Sequence, residues 1–210
     1  MKNWEIIAQK IGATPTARAE DLSREQWMTL ATLLALRDDK RSRNNASECF
    51  PVVDEHNRKI GKATRSEVHA NNLRHRAVHI LVFNAAGEVL LQKRSASKDR
   101  HPLMWDSSVA GHVEGDETYD ETAARELKEE LSISPGLELI GKIPASEKTG
   151  YEFIHVYRAE CDGPFEFPYG EISAVKFFPA ETVDRWVANK PEEFAPGFLE
   201  CWRLWRRQTL

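Results

Sequence analysis

The run from Gly111 to Ile133 constrains the fold of this chain more than any other segment. In its second half, Leu127 and Leu131 stand four residues apart, with Ala123 and Ala124 one turn earlier. Residues at this spacing lie on one side of an α-helix. The pattern therefore predicts an amphipathic helix whose apolar side packs on a core.

The same helix carries three carboxylates: Glu126, Glu129 and Glu130. Positions i, i+3 and i+4 face the same way on a helix, so these like charges repel one another. Folding does not require such a cluster, but a hard divalent cation such as Mg²⁺ does, because it prefers oxygen ligands and shares them with substrate phosphates. The alternative explanation of the pattern is a solvated acidic helix face.

The spacing around these carboxylates is that of a known signature. Gly111 is followed after five residues by Glu117, and after seven more by the run 125–133. This arrangement resembles the signature of the Nudix hydrolases at every position except Ser132, where that family has Gly at the turn leaving the helix. Gly adopts such a turn at lower cost, so Ser132 is expected to strain it slightly.

The resemblance implies an α/β fold, the Nudix α/β/α sandwich with a mixed sheet, and hydrolysis of a diphosphate bond with Mg²⁺ or, alternatively, Mn²⁺. It implies that the cation is held by three carboxylates and one backbone carbonyl: Glu126, Glu129, Glu130 and Gly111. The same glutamates are the predicted catalytic residues, with Glu129 the first choice for the base that takes the proton of the attacking water, and Glu171 the alternative base. Glu117 and Arg125 are predicted to form a structural salt bridge that ties the loop to a helix beginning near residues 118–120.

Segments upstream of the signature narrow the resemblance. They are similar to the isopentenyl-diphosphate isomerase branch of the family in several motifs: Val53–Glu55, Gly61–Thr64, Leu73–Ala77, Gln92–Lys98, Trp105 and Gly111–His112. The isomerases have Cys directly before the Gly-His pair, where this chain has Ala110, and they have a degraded acidic helix. A methyl group cannot relay a proton, so the chain resembles a hydrolase of this branch. Isomerase-like activity and a non-catalytic, diphosphate-sensing domain are the alternatives.

Basic and imidazole side chains in these segments are candidates for the substrate site. Arg94 and Lys98 match positions that hold the diphosphate in the isomerases, and they are the predicted substrate-binding residues, with Arg65 as a further candidate. Three histidines match, more loosely, the isomerases' metal ligands: His69, His75 and His112. Two interpretations of them stay open, a second metal site completed by Glu152 and hydrogen-bonded imidazoles near the substrate.

The pattern of the chain changes near residue 46. Before it, two amphipathic helices are predicted, the first ended by Gly12 and the second opened by the capping-box pattern Ser23–Gln26. The predicted domains are a helical extension with its linker at 1–45 and a Nudix hydrolase domain at 46–210. Alternation and turn residues predict seven strands and a closing helix in that domain: 50–53, 59–63, 78–84, 88–93, 137–143, 152–159, 172–178 and 196–207.

Composition limits the partners. The net charge is −4 with a pI near 6.0, and no long Lys/Arg block occurs. This argues against binding long nucleic acid but permits a small phosphorylated substrate. Three separated cysteines without a CxxC pair, no apolar run long enough to span a bilayer and no secretory signal favour a cytoplasmic protein without a membrane partner. The predicted function is cleavage of a diphosphate in a nucleoside-diphosphate-linked or other small organic compound, by a monomer or a homodimer.

Overall fold

The computed structural model describes residues 48–209 and, ahead of them, Ala8, residues 12–14, Thr16, residues 22–23 and residues 25–26. The chain divides into two compact units, Met1–Ser42 and Arg43–Leu210. The domain boundary between residues 45 and 46 stays a prediction. Among the described helices, none combines the length and apolarity that a membrane crossing requires.

Two local features of the first unit lie on described residues. Gly12 has a φ of 68°, and the amide of Ala13 donates to the carbonyl of Ala8 at 2.8 Å. Both are typical of a helix that ends at glycine. Ser23 and Gln26 form the two reciprocal bonds of a capping box, at 2.9 and 3.2 Å. Ala8, one residue of the predicted apolar face of the first helix, is fully buried. The other residues of the two predicted apolar faces lie outside the described residues.

The second unit contains nine strands and four α-helices among its described residues. In chain order they are β1 (Cys49–Val53), β2 (Lys59–Thr64), α1 (Arg65–Ala70), β3 (His75–Phe83), β4 (Val89–Arg94), β5 (Trp105–Asp106), β6 (Val109–His112), α2 (Tyr119–Leu131), β7 (Glu138–Ile143), β8 (Glu152–Glu160), β9 (Ile172–Phe178), α3 (Ala180–Asn189) and α4 (Pro196–Thr209). The predicted strands and the closing helix are confirmed within a few residues. Short α1, β5 and β6 and helix α3 were not predicted.

A seven-stranded mixed sheet forms the centre of this unit. Its main order is β5-β4-β3-β8-β7, with β6 paired to β3 and β9 paired to β4. β3 and β8 run parallel over their whole length, and the other pairs are antiparallel. β1 and β2 form a separate antiparallel ribbon. Strand β3 therefore lies between β6 and β8, and its side chains meet those of both neighbours.

Alternation along β3 divides the core into two layers. Val78, Ile80 and Val82 pack on one face against Leu127 and Leu131 of α2. On the other face Leu81 and Phe83 join a cluster contributed largely by helices α3 and α4: Val183, Phe198 and Trp202. Helices on both faces of a mixed sheet confirm the predicted α/β/α sandwich.

Helix α2 begins and ends as its sequence requires. Thr118 and Glu121 form a capping box, with the Thr118 hydroxyl accepting from the Glu121 amide and the Glu121 carboxylate accepting from the Thr118 amide. At the other end Ser132 has φ 57° and ψ 32°, the left-handed conformation. Ala123, Leu127 and Leu131 are fully buried, whereas Ala124 faces solvent, contrary to the expectation that both alanines belong to the apolar side.

Replacing Ser132 by Gly should stabilise the protein by about 1 kcal/mol, because a left-handed conformation costs a residue with a Cβ roughly that amount. The midpoint of urea unfolding should rise with an unchanged slope. Ser134→Gly is the matched control, since Ser134 is exposed and has no positive φ. That variant should lose stability through backbone entropy alone. If the urea midpoint of Ser132→Gly is equal to or lower than that of the original chain, the backbone at Ser132 is not strained.

Candidate active site

A cleft of about 200 Å³ opens between the β6-β3-β8 region, helix α2 and the start of α4. Acidic and basic side chains both line it, and the acidic ones include Glu126, Glu130, Glu152 and Glu171. Such a mixture suits a ligand that carries both cations and anionic oxygens. Glu129, which the sequence groups with Glu126 and Glu130, is not among the described residues that line the cleft.

Burial separates the three α2 glutamates. Glu126 and Glu130 are only 5% and 6% exposed, whereas the Glu129 side chain is 35% exposed. All three had been expected on one patch of the helix surface. They are unequal because α2 packs on β3 and β6, which covers positions 126 and 130 but leaves position 129 at the rim. Arg125 joins the set, since its Nη1 donates to Glu126 at 2.6 Å and to Glu129 at 3.2 Å.

Gly111 makes room for the first carboxylate. A Cβ at this position of β6 would overlap the carboxyl group of Glu126. The Glu126 side chain therefore reaches across the strand to the cleft only because Gly111 has no side chain. This close approach places the Glu126 carboxylate against the backbone of Gly111, whose carbonyl is the fourth predicted ligand.

The loop before α2 is tied to the helix by Arg125. Its Nε and Nη2 donate to the two carboxylate oxygens of Glu117 at 2.8 and 2.9 Å, and Nη2 also donates to the carbonyl of His112 at 3.1 Å. The Thr122 hydroxyl donates to Glu117 at 2.9 Å. The salt bridge expected between Glu117 and Arg125 is present, and its supporting role in catalysis stays a proposal.

The buried acids fit a divalent cation. Burial raises the pKa of Glu130 well above its usual range, and the nearby Glu126 carboxylate raises it further, against the opposing effect of Lys98. Gln92 donates one hydrogen bond to Glu130 at 3.1 Å. Two buried carboxylates that repel one another are what a hard cation with oxygen ligands would neutralise. The donor set therefore fits the metal that the sequence predicted.

A second group of potential ligands lies in the same cleft. Sheet register places Glu152 of β8 beside His75 and places His112 of β6 opposite Ala77, two residues further along β3, while His69 comes from α1. One ligand atom of each histidine lies within 4.8 Å of the others. Phe50 stacks on His112 and His75 at centroid distances of 4.5 and 5.9 Å. We call His69, His75, His112 and Glu152 the histidine cluster.

Two imidazoles of the histidine cluster, those of His69 and His112, are held neutral near the Glu152 carboxylate. Burial lowers the pKa of His112 to about 3 and that of His69 to about 4. Burial alone would raise the pKa of Glu152, but the hydrogen bond to His112 Nε2 at 3.2 Å and the neighbouring His75 ring hold it well below its usual range. The Nε2 atoms of His69 and His75 are buried without a hydrogen-bond partner in the described part of the chain. Neutral imidazoles with a carboxylate are a donor set for a transition metal.

The predicted substrate-binding cations are already paired. Arg94 donates to Asp106 at 2.9 Å and, through Nε and Nη2, to the carbonyl of Arg100 at 3.2 and 3.1 Å. Lys98 donates to Glu171 at 2.9 Å. Both cations line the cleft, and their role in binding the substrate stays a prediction.

Sequence reasoning overlooked other residues of the cleft. Arg100 reaches His69, and Asp99 binds Arg65 through two bonds of 3.2 Å. His79, buried on β3, contacts the Ser107 hydroxyl at 2.8 Å. For Arg100 the available signal was its position two residues after Lys98 in one loop. For His79 the signal was its even spacing from His75 on the same strand face.

Comparison with known proteins identifies the class of this fold and site. The NUDIX domain family model matches residues 73–198. The chain therefore belongs to the Nudix family, and it is a Nudix hydrolase, an enzyme of the class that acts on diphosphate bonds.

Individual relatives agree with this assignment. An uncharacterized Nudix hydrolase of Yersinia pestis is 34% identical over 160 residues, covering 75% of this chain and 85% of that protein. An isopentenyl-diphosphate Delta-isomerase of Burkholderia multivorans is 28% identical over 152 residues, covering 70% of this chain and 86% of that protein. Among solved structures, DR0079 from Deinococcus radiodurans matches with a TM-score of 0.61 and 27% identity, covering 68% of this chain and 90% of that one.

Proposed function

We propose that this protein is a Mg²⁺-dependent pyrophosphohydrolase that cleaves the diphosphate of a nucleoside-diphosphate-linked or other small organic compound. The observation that carries the proposal is the burial of two carboxylates, since Glu126 is only 5% exposed and Glu130 only 6% exposed. Both line a cleft that also contains Gly111 and four Lys and Arg side chains. Buried like charges are retained at a cost to folding, and binding a cation to neutralise a diphosphate explains why they are there.

The residues have distinct roles in this proposal. Glu126, Glu130 and the Gly111 carbonyl would hold the cation, with Glu129, at the rim of the cleft, as the fourth ligand residue. When bound, Mg²⁺ neutralises the phosphates and lowers the pKa of the attacking water. Glu129 is the first choice to take the proton of that water, and Glu171, which lines the cleft at 5% exposure, is the alternative base.

The cations of the cleft stabilise the phosphates. Arg94 and Lys98 supply positive charge in the cleft that the glutamates line, with Arg65 beside the histidine cluster. Each is fixed by a carboxylate, which keeps the side chain in place before the substrate arrives. Positioned charges of this kind stabilise the charge that develops on a phosphate during transfer. The extension at 1–45 contributes none of these groups.

The experiment that tests the proposal is turnover of a substrate panel with and without Mg²⁺. The panel contains nucleoside di- and triphosphates, nucleotide sugars, dinucleotide cofactors, coenzyme A and prenyl diphosphates. We expect cleavage of at least one diphosphate compound that disappears when EDTA removes the cation. Tight binding of a panel member without its cleavage would instead support the sensing alternative. Cleavage that is indifferent to EDTA would contradict the metal assignment.

The isomerase relative raises a second candidate function. Ala110 lines the cleft next to Gly111 and pairs with His79 of β3, at the position where a carbon acid-base reaction would need a group that relays a proton. A methyl group has no such proton, and a positioned acid or base is worth about 10²–10⁴ in rate. We therefore expect no solvent deuterium to enter isopentenyl or dimethylallyl diphosphate in the presence of Mg²⁺. Mass spectrometry of both compounds after incubation measures it, and incorporation by the purified protein would overturn the hydrolase-only assignment.

A further inference from the structure

Four Lys and Arg side chains line the cleft: Arg65, Arg94, Lys98 and Arg100. Three of them are paired with a carboxylate, Arg65 with Asp99, Arg94 with Asp106 and Lys98 with Glu171. Arg100 differs. Within the described part of the chain, its guanidinium bonds to the neutral imidazole of His69 and has no carboxylate within ion-pair distance. Its positive charge is therefore the least compensated of the four.

The partner of Arg100 is His69. Arg100 Nη1 lies 2.9 Å from His69 Nδ1. A guanidinium only donates hydrogen bonds, so Nδ1 must be the accepting nitrogen. The proton of the neutral ring is then on Nε2, which is buried and has no hydrogen-bond partner among the described residues.

This arrangement opposes binding of a cation by His69. If the cation binds Nε2, the proton of that nitrogen must move to Nδ1. The Nδ1 proton would then point at the guanidinium of Arg100, so that two hydrogen-bond donors face each other. If the cation binds Nδ1, it must displace Arg100 directly. Metal-bound histidines ordinarily donate their other nitrogen to a carboxylate or carbonyl, as His75 does to the carbonyl of Leu73 at 2.9 Å. His75 has the form a metal requires, and His69 acquires it only when Arg100 leaves.

We propose that Arg100 binds an anionic oxygen of the substrate's diphosphate and that its transfer to the substrate releases His69 to bind a divalent cation in the histidine cluster. The substrate class in this proposal rests on the proposed function. Arg100 leaves a neutral partner for a charged one, which favours the transfer because hydrogen bonds between two charged groups are the stronger kind. No proton is gained or lost overall, since the His69 proton moves from Nε2 to Nδ1. Anion binding and cation binding then strengthen one another reciprocally.

The test measures Co²⁺ binding to the full-length protein, by visible absorption and by competition with a chromophoric chelator. Sulfate serves as the anion probe and is compared with chloride at constant ionic strength. We expect sulfate to tighten Co²⁺ binding severalfold in the wild-type chain. Arg100→Gln should bind Co²⁺ about 10–100-fold more tightly without sulfate, the range that a charge-assisted hydrogen bond represents. Sulfate should then have no further effect in that variant.

Two other variants assign the signal. Arg158→Gln removes an arginine from β8 six residues beyond Glu152, about 20 Å along the strand, and should behave like the wild-type chain. His75→Ala should abolish the tight Co²⁺ site, and retention of that site would overturn the proposal. So would an Arg100→Gln affinity no tighter than that of Arg158→Gln. If Arg100→Gln does not fold, the comparison of sulfate with chloride in the wild-type chain still tests the proposal. Co²⁺ binding that is equally tight in sulfate and in chloride would contradict the coupling. These measurements report Co²⁺ binding and not turnover. They therefore test the coupling even if the protein does not catalyse the proposed hydrolysis.

Discussion

Glu130→Gln is expected to lower turnover by about 10³-fold or more while the protein remains folded. The substitution is nearly isosteric but removes a buried charge from the proposed cation site. Metal charge stabilisation is worth several kcal/mol in the transition state, and each 1.36 kcal/mol corresponds to a factor of about ten. The loss should appear in kcat at saturating Mg²⁺, measured on the substrate that the panel identifies. Near-normal turnover under those conditions would remove Glu130 from the site.

The same variant should be more stable than the original chain in the absence of metal. Burial and the Glu126 carboxylate hold the pKa of Glu130 above its usual range, so its ionised form destabilises the folded state. This destabilisation is present at neutral pH and is lost as pH falls through the raised pKa, because the carboxyl group is then protonated in the folded protein. Thermal melting with EDTA should therefore show a higher melting temperature for Glu130→Gln at pH 7 and a smaller difference in acid, about 2–4 °C for each kcal/mol released.

Two variants complete this comparison. Glu138→Gln removes a carboxylate that is 70% exposed on β7, and it should change neither turnover nor melting. Glu129→Gln should reduce turnover without the gain in stability, since Glu129 is at the rim of the cleft and its carboxylate is 35% exposed. A melting temperature that falls in Glu130→Gln at neutral pH would mean that its charge is well compensated in the folded protein.

Gly111→Ala is expected to lower turnover by about 10²-fold or more, because a catalytic group displaced by about 1 Å can cost that much. The added methyl group would overlap the carboxyl end of Glu126. Because the carboxyl group is the flexible end of the Glu126 side chain, we expect it to move out of the cleft while strand β6 stays intact. Overpacking of this kind costs roughly 1–3 kcal/mol of stability. Circular dichroism should show a native fold while kcat falls.

Gly136→Ala is the matched control for the glycine substitution. A Cβ at Gly136 meets no atom within 4 Å, and its φ is not positive. Turnover and stability should stay close to those of the original chain. If Gly111→Ala retains full activity, the Glu126 carboxylate either does not hold the cation or finds another path into the cleft. Mg²⁺ titration of the variant separates weaker metal binding from slower chemistry.

Much of the α2 region was predictable from local sequence. The i, i+4 leucines, the Thr118–Glu121 capping box and the left-handed turn at Ser132 all depend on residues within one helix and its ends. The same holds for the strands, whose period-two alternation is a local property. The short segments β5 and β6 were not predicted, because two to four residues do not establish a period.

The composition of the cleft was less accessible to sequence. Burial of Glu126 and Glu130 but not of Glu129 depends on how α2 lies on β3 and β6, which spacing along one helix cannot specify. The partners of Arg94 and Lys98 follow from β5 and from the loop before β9, distant in sequence. The carboxylate partners fix Arg94 and Lys98 in position. Among the four Lys and Arg side chains that line the cleft, Arg100 is the one without a carboxylate partner in the described part of the chain.

The sequence by itself determined the family and its enzyme class, the acidic helix with its cap and terminal turn, and the absence of a relaying group at Ala110. Each of these is written in contiguous residues or in fixed short spacings. Only the tertiary structure decided that His69, His75, His112 and Glu152 meet in one place. Those residues lie on α1, β3, β6 and β8, and they converge because β3 pairs with β6 on one side and with β8 on the other. Strand order depends on contacts between residues far apart in the sequence. Local sequence patterns therefore do not specify that these four side chains lie together.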